Sequence, residues 1–425
     1  MKLKTLRLTH YRGARDLQLS FNERLNIFYG VNGSGKSTVL DALAIMLSWA
    51  VSRVRQLGTS GRAIRPEEIT NSKAHASVTL KAETSKGLLA WKLVKNREGH
   101  IQQEDKTELT ALNEWAKVVQ QQITDSEGQT NLPIFVHYSV NRAVLDIPLR
   151  IQGKHSFRLL ATYDEALTSG SNFRTFFEWF REREDLENEN RKYEGMLIKP
   201  DDYQFPDPQL EAVRSALGTF LPEFSNLTVR RKPLRMEVQK QDKILIVNQL
   251  SDGEKCLIAL IGDLAQRLAI ANPNRANPLE GEGVVLIDEI DLHLHPKWQR
   301  MVVPRLLEVF PNCQFMISTH SPHVLTQVPP EHLFLLTQTE AGILAEHPRE
   351  SYGKNVDRIL EDLMGLETTR PDKVQTQLDN LYQAIADLEL EKARSQMLVL
   401  QAQMGSDPEL VKAEVLIKRK EILGK

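Results

Sequence analysis

Apolar and polar residues alternate along the opening segment Leu3 to Tyr11, which ends in a turn at Arg12-Gly13 and is followed by Leu17-Gln18-Leu19-Ser20-Phe21. That period of two predicts an N-terminal β-hairpin. His75 to Lys81 and Leu89 to Val94 alternate in the same way around Ser85-Lys86-Gly87, a second hairpin. Three runs are rich in apolar residues without alternation: Val284 to Ile287 throughout, and Leu25 to Tyr29 and Cys313 to Ser318 apart from Asn26, Gln314 and the closing Ser318. Near-continuous apolar runs this short suit strands covered on both faces of a parallel sheet. Ile134 to Tyr138 reads as one more strand.

Helical spacing takes over between these strands. Lys36 to Trp49 forms one predicted helix, and Ser251 caps another that runs through Cys256 to Ile261. Phe173, Phe176, Phe177, Trp179 and Phe180 recur at helical intervals ahead of the charged run Arg181 to Lys192. This aromatic stripe reads as the core seam of an inserted helical lid in preference to a base-stacking surface. Beyond residue 350 the chain becomes charged and helical, and Val374 to Met397 and Pro408 to Ile422 are expected to form two antiparallel helices around Gly405-Ser406-Asp407-Pro408.

Composition sets limits on these elements. The 425 residues, 41% hydrophobic and 26% charged, are ample for a large core in two or three domain-sized units. A net charge of −2 leaves no global polybasic signature, so any nucleic-acid contact must be local. Two basic clusters are candidates: Arg53, Arg55, Arg62 and Arg65 after the first helix, and Arg230, Arg231, Lys232 and Arg235 with Lys240 and Lys243 nearby. A solvated face is the alternative for both. No stretch reads as long and apolar enough to span a bilayer, and the N-terminus enters strand-like sequence directly, so a cytoplasmic protein without a membrane partner is expected. Cys256 and Cys313 fall inside predicted core elements and read as reduced packing residues.

Chemistry enters at Gly30-Val31-Asn32-Gly33-Ser34-Gly35-Lys36-Ser37, which fits the phosphate-loop pattern G-x-x-x-x-G-K-[ST] between a strand and a helix. Gly30, Gly33 and Gly35 allow backbone amides to curl around phosphate oxygens, and the helix N-terminus adds partial positive charge there. Asn32, Ser34 and Thr38 complete the nucleotide-binding set. Lys36 is expected to reach the β- and γ-phosphates of ATP and Ser37 to ligate Mg²⁺. The apolar run Val284 to Ile287 ends in Asp288-Glu289, with Asp288 assigned to the Mg²⁺ shell and Glu289 to polarising the attacking water. Adjacent carboxylates repel, so they are expected to point to opposite faces of the strand end. His293 and His295 have no third nitrogen or sulfur ligand at convincing spacing, which argues against zinc.

Taken together, these motifs resemble an ABC-type ATPase head. Phe177-Glu178-Trp179-Phe180, Leu250-Ser251-Asp252-Gly253-Glu254-Lys255, Asn272-Pro273, Leu286 through Gln299 and Ser318-Thr319-His320-Ser321-Pro322 resemble prokaryotic RecF-like members over most of residues 1 to 345. The resemblance implies an α/β fold with a mixed sheet, N-terminal antiparallel hairpins, a helical insertion and a C-terminal helical appendage. It implies that Ser251, Asp252, Gly253 and Glu254 act in trans as a signature turn on nucleotide held by a second copy. Asp291 then lies in the D-loop, His320 is the switch histidine, and Arg12 lies near the nucleotide. Asp252 and Glu254-Lys255 depart from the Leu-Ser-Gly-Gly-Gln of membrane transporters and resemble the SMC and RecF branch. The expected domains are residues 1–171 and 241–350 for the two parts of the head, 172–240 for the insertion with its basic hairpin, and 351–425 for the appendage. The Q-loop glutamine has no clear position; Gln102 and Gln103 lack the expected context.

The tail Ser351-Tyr352-Gly353-Lys354, Arg358 through Gly365 and Arg419-Lys420-Glu421-Ile422 resembles the ATPase subunit of Septu antiphage systems. This implies a dimer or higher oligomer working with a separate HNH endonuclease on phage DNA. The chain has no Toprim or His-Asn-His nuclease pattern after His320, so cleavage falls to another protein. A stand-alone RecF/SMC-like repair or chromosome-maintenance ATPase would share every motif.

Overall fold

The computed structural model describes residues 1–100, 105–140, 158–168, 173–200 and 203–423, which divide into two compact units, 1–354 and 355–425. Gln102 and Gln103 lie outside the described residues. The first unit opens with the expected hairpin, β1 (Lys2–Tyr11) and β2 (Ala14–Ser20), followed by β3 (Leu25–Tyr29), buried at every position. After helix α1 (Lys36–Arg55) comes the second hairpin, β4 (His75–Thr84) and β5 (Gly87–Asn96). These four strands form an antiparallel sheet in the order β2-β1-β4-β5. Helix α2 (Thr110–Asp125) leads to β6 (Ile134–Tyr138).

The insertion contains α3 (Phe173–Asn190), α4 (Pro208–Phe220) and a meander of β7 (Phe224–Arg231), β8 (Leu234–Lys240) and β9 (Lys243–Ile246). It is therefore not purely helical, and its sheet runs past the expected boundary at residue 240. The third strand is an exposed edge with no alternating signature; Gln241, at φ 54°, turns the chain into it. Phe176, Phe177, Trp179 and Phe180 are wholly buried, as a core seam requires. Phe173 offers no side-chain description.

Helix α5 (Asp252–Ala271), β10 (Gly283–Ile287), α6 (Pro296–Val309), β11 (Cys313–Ser318), the short α7 (Pro322–Leu325), β12 (Leu333–Thr339) and β13 (Gly342–Glu346) complete the first unit. Its main sheet has the order β13-β12-β3-β11-β10-β6, parallel except for the β12–β13 hairpin. The register pairs Phe28 with Ser318, Ile287 with Ile317, and Ile287 with Tyr138. The C-terminal ends of β3, β11, β10 and β6 therefore lie side by side, where an open parallel sheet places its ligand.

Helix α1 continues past the expected Trp49 because Ala50, Val51 and Val54 keep an apolar face in the core. Contrary to the sequence reading, it is long and apolar enough to cross a bilayer by length and composition, but two-thirds of that window is buried inside the fold. It packs on β11, β10 and β6 as a core helix.

The second unit contains the single turn α8 (Val356–Arg358) and three longer helices: α9 (Asp372–Ala386), α10 (Leu390–Met404) and α11 (Pro408–Leu423). The helix expected over 374–397 is broken at Asp387-Leu388-Glu389, where Leu388 takes φ 62° and the Glu389 amide donates back to the Ala384 carbonyl at 2.9 Å. This helix-ending geometry usually belongs to glycine, and no glycine or proline marks it here. Leu378, Leu381, Ile385, Leu400, Leu410 and Ile417 form the unit's own core. The division falls after Lys354, later than the expected 350, because Ser351 and Gly353 still donate to the Val328 and Thr326 carbonyls.

Candidate nucleotide site

The phosphate loop links the end of β3 to α1. A Cβ on Gly30, at φ 144°, would stand 2.4 Å from the Leu336 carbonyl oxygen, and one on Gly35, at φ 105°, would stand 2.4 Å from Ile343 Cδ1. Both positions require glycine. Val31, Asn32 and Gly33 form the exposed rim, Thr38 is half-buried on the first turn of α1, and the buried Ser34 hydroxyl has no partner. Lys36 is 6% exposed, and its Nζ donates to the Gly30 and Val31 carbonyls at 3.0 Å each. Burial pulls its pKa down, opposed by Asp288, Glu289 and Asp291. The loop thus holds a buried hydroxyl without a partner and a desolvated ammonium group at the N-terminus of α1, a fit for an anionic phosphate chain.

Opposite the lysine, Ser37 Oγ donates to Asp288 Oδ2 at 3.1 Å. Ser318 Oγ donates to the other oxygen, Oδ1, and itself accepts from the Glu289 amide at 2.8 Å. A hydroxyl and a carboxylate meeting at the mouth of the phosphate loop are the hard oxygen donors that Mg²⁺ takes from a protein, with phosphate and water filling its other positions. Glu289 sits just past the strand end with φ 47°, so a left-handed turn of the chain, and not the strand pleat, separates it from Asp288.

Asp291 joins the two loops flanking this end. Its Oδ1 accepts from Thr319 Oγ1 at 2.6 Å and from the His320 amide at 3.3 Å. Ser321 Oγ donates to Gln299 Oε1 at 2.7 Å, and Gln299 Nε2 donates to the Leu294 carbonyl at 2.8 Å. The half-buried His320 is therefore presented on a backbone braced by the D-loop segment. His295 caps α6, its Nδ1 accepting from the Lys297 amide at 3.2 Å, while His293 adopts φ 62°.

The signature segment forms the start of α5. Ser251 Oγ accepts from the Glu254 amide at 3.4 Å, and Glu254 Oε2 accepts from the Ser251 amide and hydroxyl at 2.8 Å each, a reciprocal capping box. Lys240 Nζ holds the other carboxylate oxygen at 2.5 Å. Burial raises the Glu254 pKa, but Lys240 and the Ser251 donors more than offset this and leave it below its ordinary value. Glu254 does not fit the in-trans role the sequence suggested, because its carboxylate is buried and points back into its own subunit. Ser251 and Asp252 are exposed, the latter paired with Lys255 at 3.1 Å. Gly253 is packed so closely that a Cβ would lie 2.4 Å from the His293 carbonyl oxygen.

The basic candidates are mostly neutralised by their own chain. Arg12, at φ 49°, donates to Asp41, one turn past Ser37 on α1, and to Glu68 at 2.7 Å. Arg53 and Arg55 lie within α1, not after it. Arg53 is buried, stacking 5.6 Å from the Trp49 ring, so it cannot meet a nucleic-acid phosphate from this position; Arg55 pairs with Asp164. Arg62 pairs with Asp41, Arg230 with Glu237, and Arg231 with Glu184 and Asp185, while Lys232 is exposed at the hairpin turn.

Sequence reasoning missed what β6 does for the site. The Tyr138 carbonyl accepts from the Asp288 amide at 2.9 Å, so the chain leaving β6 runs beside the Asp288 end of β10. The signal was a short, mostly apolar strand carrying His137 and followed by Ser139-Val140, with no glutamine to mark it.

Known proteins resemble this chain over most of its length. The family model described as the RecF/RecN/SMC N terminal domain matches residues 2–345. The chain is 30% identical to the Retron Ec83 probable ATPase of Escherichia coli, over 99% of this chain and 87% of that one. It is 31% identical to the Retron Vc95 probable ATPase of Vibrio cholerae serotype O1 biovar El Tor, over 85% and 78%. To the Septu protein PtuA of Bacillus thuringiensis the identity is 25%, over 87% and 85%. With its phosphate loop and Asp-Glu strand end on one mixed sheet, the chain belongs to the RecF/RecN/SMC N-terminal domain family and is an ATPase.

Proposed function

We propose that this chain is the ATPase subunit of an antiphage-defence complex, in which two copies close on ATP and hydrolysis reopens them, gating a separate HNH-type endonuclease on DNA. The observation that carries the ATP chemistry is the 3.1 Å contact of Ser37 with Asp288, which sets the metal donors beside Lys36 at the mouth of the loop. Mg²⁺, bound by Ser37 and Asp288, supplies charge neutralisation of the phosphates. Lys36 holds the β- and γ-phosphates, Glu289 takes a proton from the attacking water, and His320 contacts the γ-phosphate. Ser251 and the Gly253 amide approach that phosphate from the second copy. ATP then stabilises the closed pair by binding it better than separate heads.

The names of the relatives, Septu in one case and retron in two, support a defence role and keep a retron-linked partner as the second reading, favoured by the higher identity of those two. Co-purification of the tagged chain from its own gene neighbourhood, with native mass analysis with and without ATP, tests the proposal. A stoichiometric HNH nuclease supports it. A retron-encoded partner moves the chain to the second reading, and a nucleotide-dependent dimer with no partner favours a stand-alone repair or maintenance ATPase.

A further inference from the structure

We propose that Lys240 is a positioning residue for the signature turn: through Glu254 it holds the Ser251 hydroxyl, and so couples the inserted three-stranded sheet to the face the second copy engages. This rests on the composite-site reading above. Lys240 is the last residue of β8; its Nζ lies 2.5 Å from Glu254 Oε1 and 5.3 Å from the centre of the Phe224 ring. The remaining oxygen of Glu254 accepts from both the amide and the hydroxyl of Ser251. One cation on the insertion therefore fixes the carboxylate that fixes the hydroxyl.

Packing on this side of the turn is incomplete. A solvent-open cleft of about 530 Å³ lies against the sheet, lined by Phe224, Leu227 and Val238 from β7 and β8, Leu217 from α4, and Ile258, one turn beyond Glu254 on α5. Close-packed interiors fix neighbours by contact, whereas an open cleft leaves part of this boundary without such contacts. Across this gap the charge-assisted bond sets the position of the sheet relative to α5. The other side of the turn has no such slack, since Gly253 abuts the His293 carbonyl. The signature turn thus has a hard wall toward the D-loop and an ionic tether toward the insertion, and a load on the insertion acts on the tether.

The test uses the full chain and its Lys240→Met and Lys240→Arg variants. Each is assayed for binding of a fluorescent ATP analogue, for melting temperature, and for self-association with a non-hydrolysable ATP analogue by sedimentation velocity. Lys240→Met is expected to bind nucleotide like the unmodified chain, to melt lower because the buried Glu254 carboxylate loses its cation, and to need about tenfold more protein to associate. Lys240→Arg, which keeps the cation, is expected to restore association to within about twofold. The proposal is overturned if Lys240→Met associates normally, if Lys240→Arg is equally impaired, or if Lys240→Met loses nucleotide binding and stability in parallel. If the unmodified chain does not associate with nucleotide at all, the composite-site reading falls first.

Discussion

Ser37 and Asp288 are 251 residues apart in the chain and 3.1 Å apart in the fold. If the pair serves a cation at the phosphate loop, the charge of Asp288 is expected to matter more than its shape. Asp288→Asn preserves volume and one of the two acceptor oxygens used by Ser37 and Ser318 while removing the charge. It is expected to lower kcat for ATP roughly 10²–10³-fold, the scale of losing one transition-state charge contact. Nucleotide binding measured without Mg²⁺ should be unchanged; an equal loss there would place Asp288 in phosphate binding instead.

Glu289→Gln keeps the side-chain shape at the left-handed turn and removes the carboxylate proposed as the base. General-base loss costs about 10²–10⁴-fold, so turnover should fall by that factor while ATP binding persists. On the composite-site reading the variant accumulates as an ATP-bound associated species, visible in sedimentation with Mg-ATP. Turnover at the unmodified rate would assign the water to another group.

Asp291 braces the switch loop through Thr319, which is fully buried. In Asp291→Ala the Thr319 hydroxyl loses its acceptor, a cost of about 1–3 kcal/mol. The expected result is a roughly tenfold lower kcat with little change in ATP affinity, because His320 is misplaced and the phosphate loop is untouched. Asp291→Asn, which retains an acceptor oxygen, should be milder; the reverse order would count against the brace.

The second unit contains its own acid-sensitive contact. Asp407 accepts from both terminal nitrogens of Arg370 at 3.0 Å, and that hydrogen-bonded pairing holds its carboxyl below the usual range. A depressed folded-state pKa adds stability above the unfolded value of about 3.9 and forfeits it as pH falls through the folded value. Melting of residues 355–425 should therefore weaken below about pH 4, and Asp407→Asn should flatten this dependence. An unchanged pH profile in that variant would show that other carboxylates dominate.

The parts of this molecule legible in the sequence are those where chemistry restricts residue type. The phosphate loop needs glycine at 30 and 35 because a side chain would strike Leu336 and Ile343, and the apolar runs of β3, β10 and β11 follow from burial on both faces. What was hidden depends on tertiary partners. Leu388 ends α9 without a glycine, and β9 is an exposed edge. The orientation of Glu254 is set by Lys240 from a different element, and Arg53 looks basic in sequence but is packed beneath Trp49. Charge runs reveal which ions are present; their pairing with Glu184, Asp185 and Glu237 appears only in three dimensions.

Strand β3 carries the phosphate loop, yet both of its sheet neighbours, β11 and β12, come from residues beyond 312. During synthesis its backbone N–H and C=O edges stay without their strand partners until most of the protein has been made, roughly 15–60 s at ordinary elongation rates. The glycine loop therefore reaches the ribosome exit long before it has a floor to stand on. A chain cut short before Cys313 lacks both main-sheet strands that pair beside β3 and the hydroxyl that holds Asp288. Nucleotide capture is in this way a property of the finished chain, and an interrupted product has no assembled pocket with which to compete for ATP.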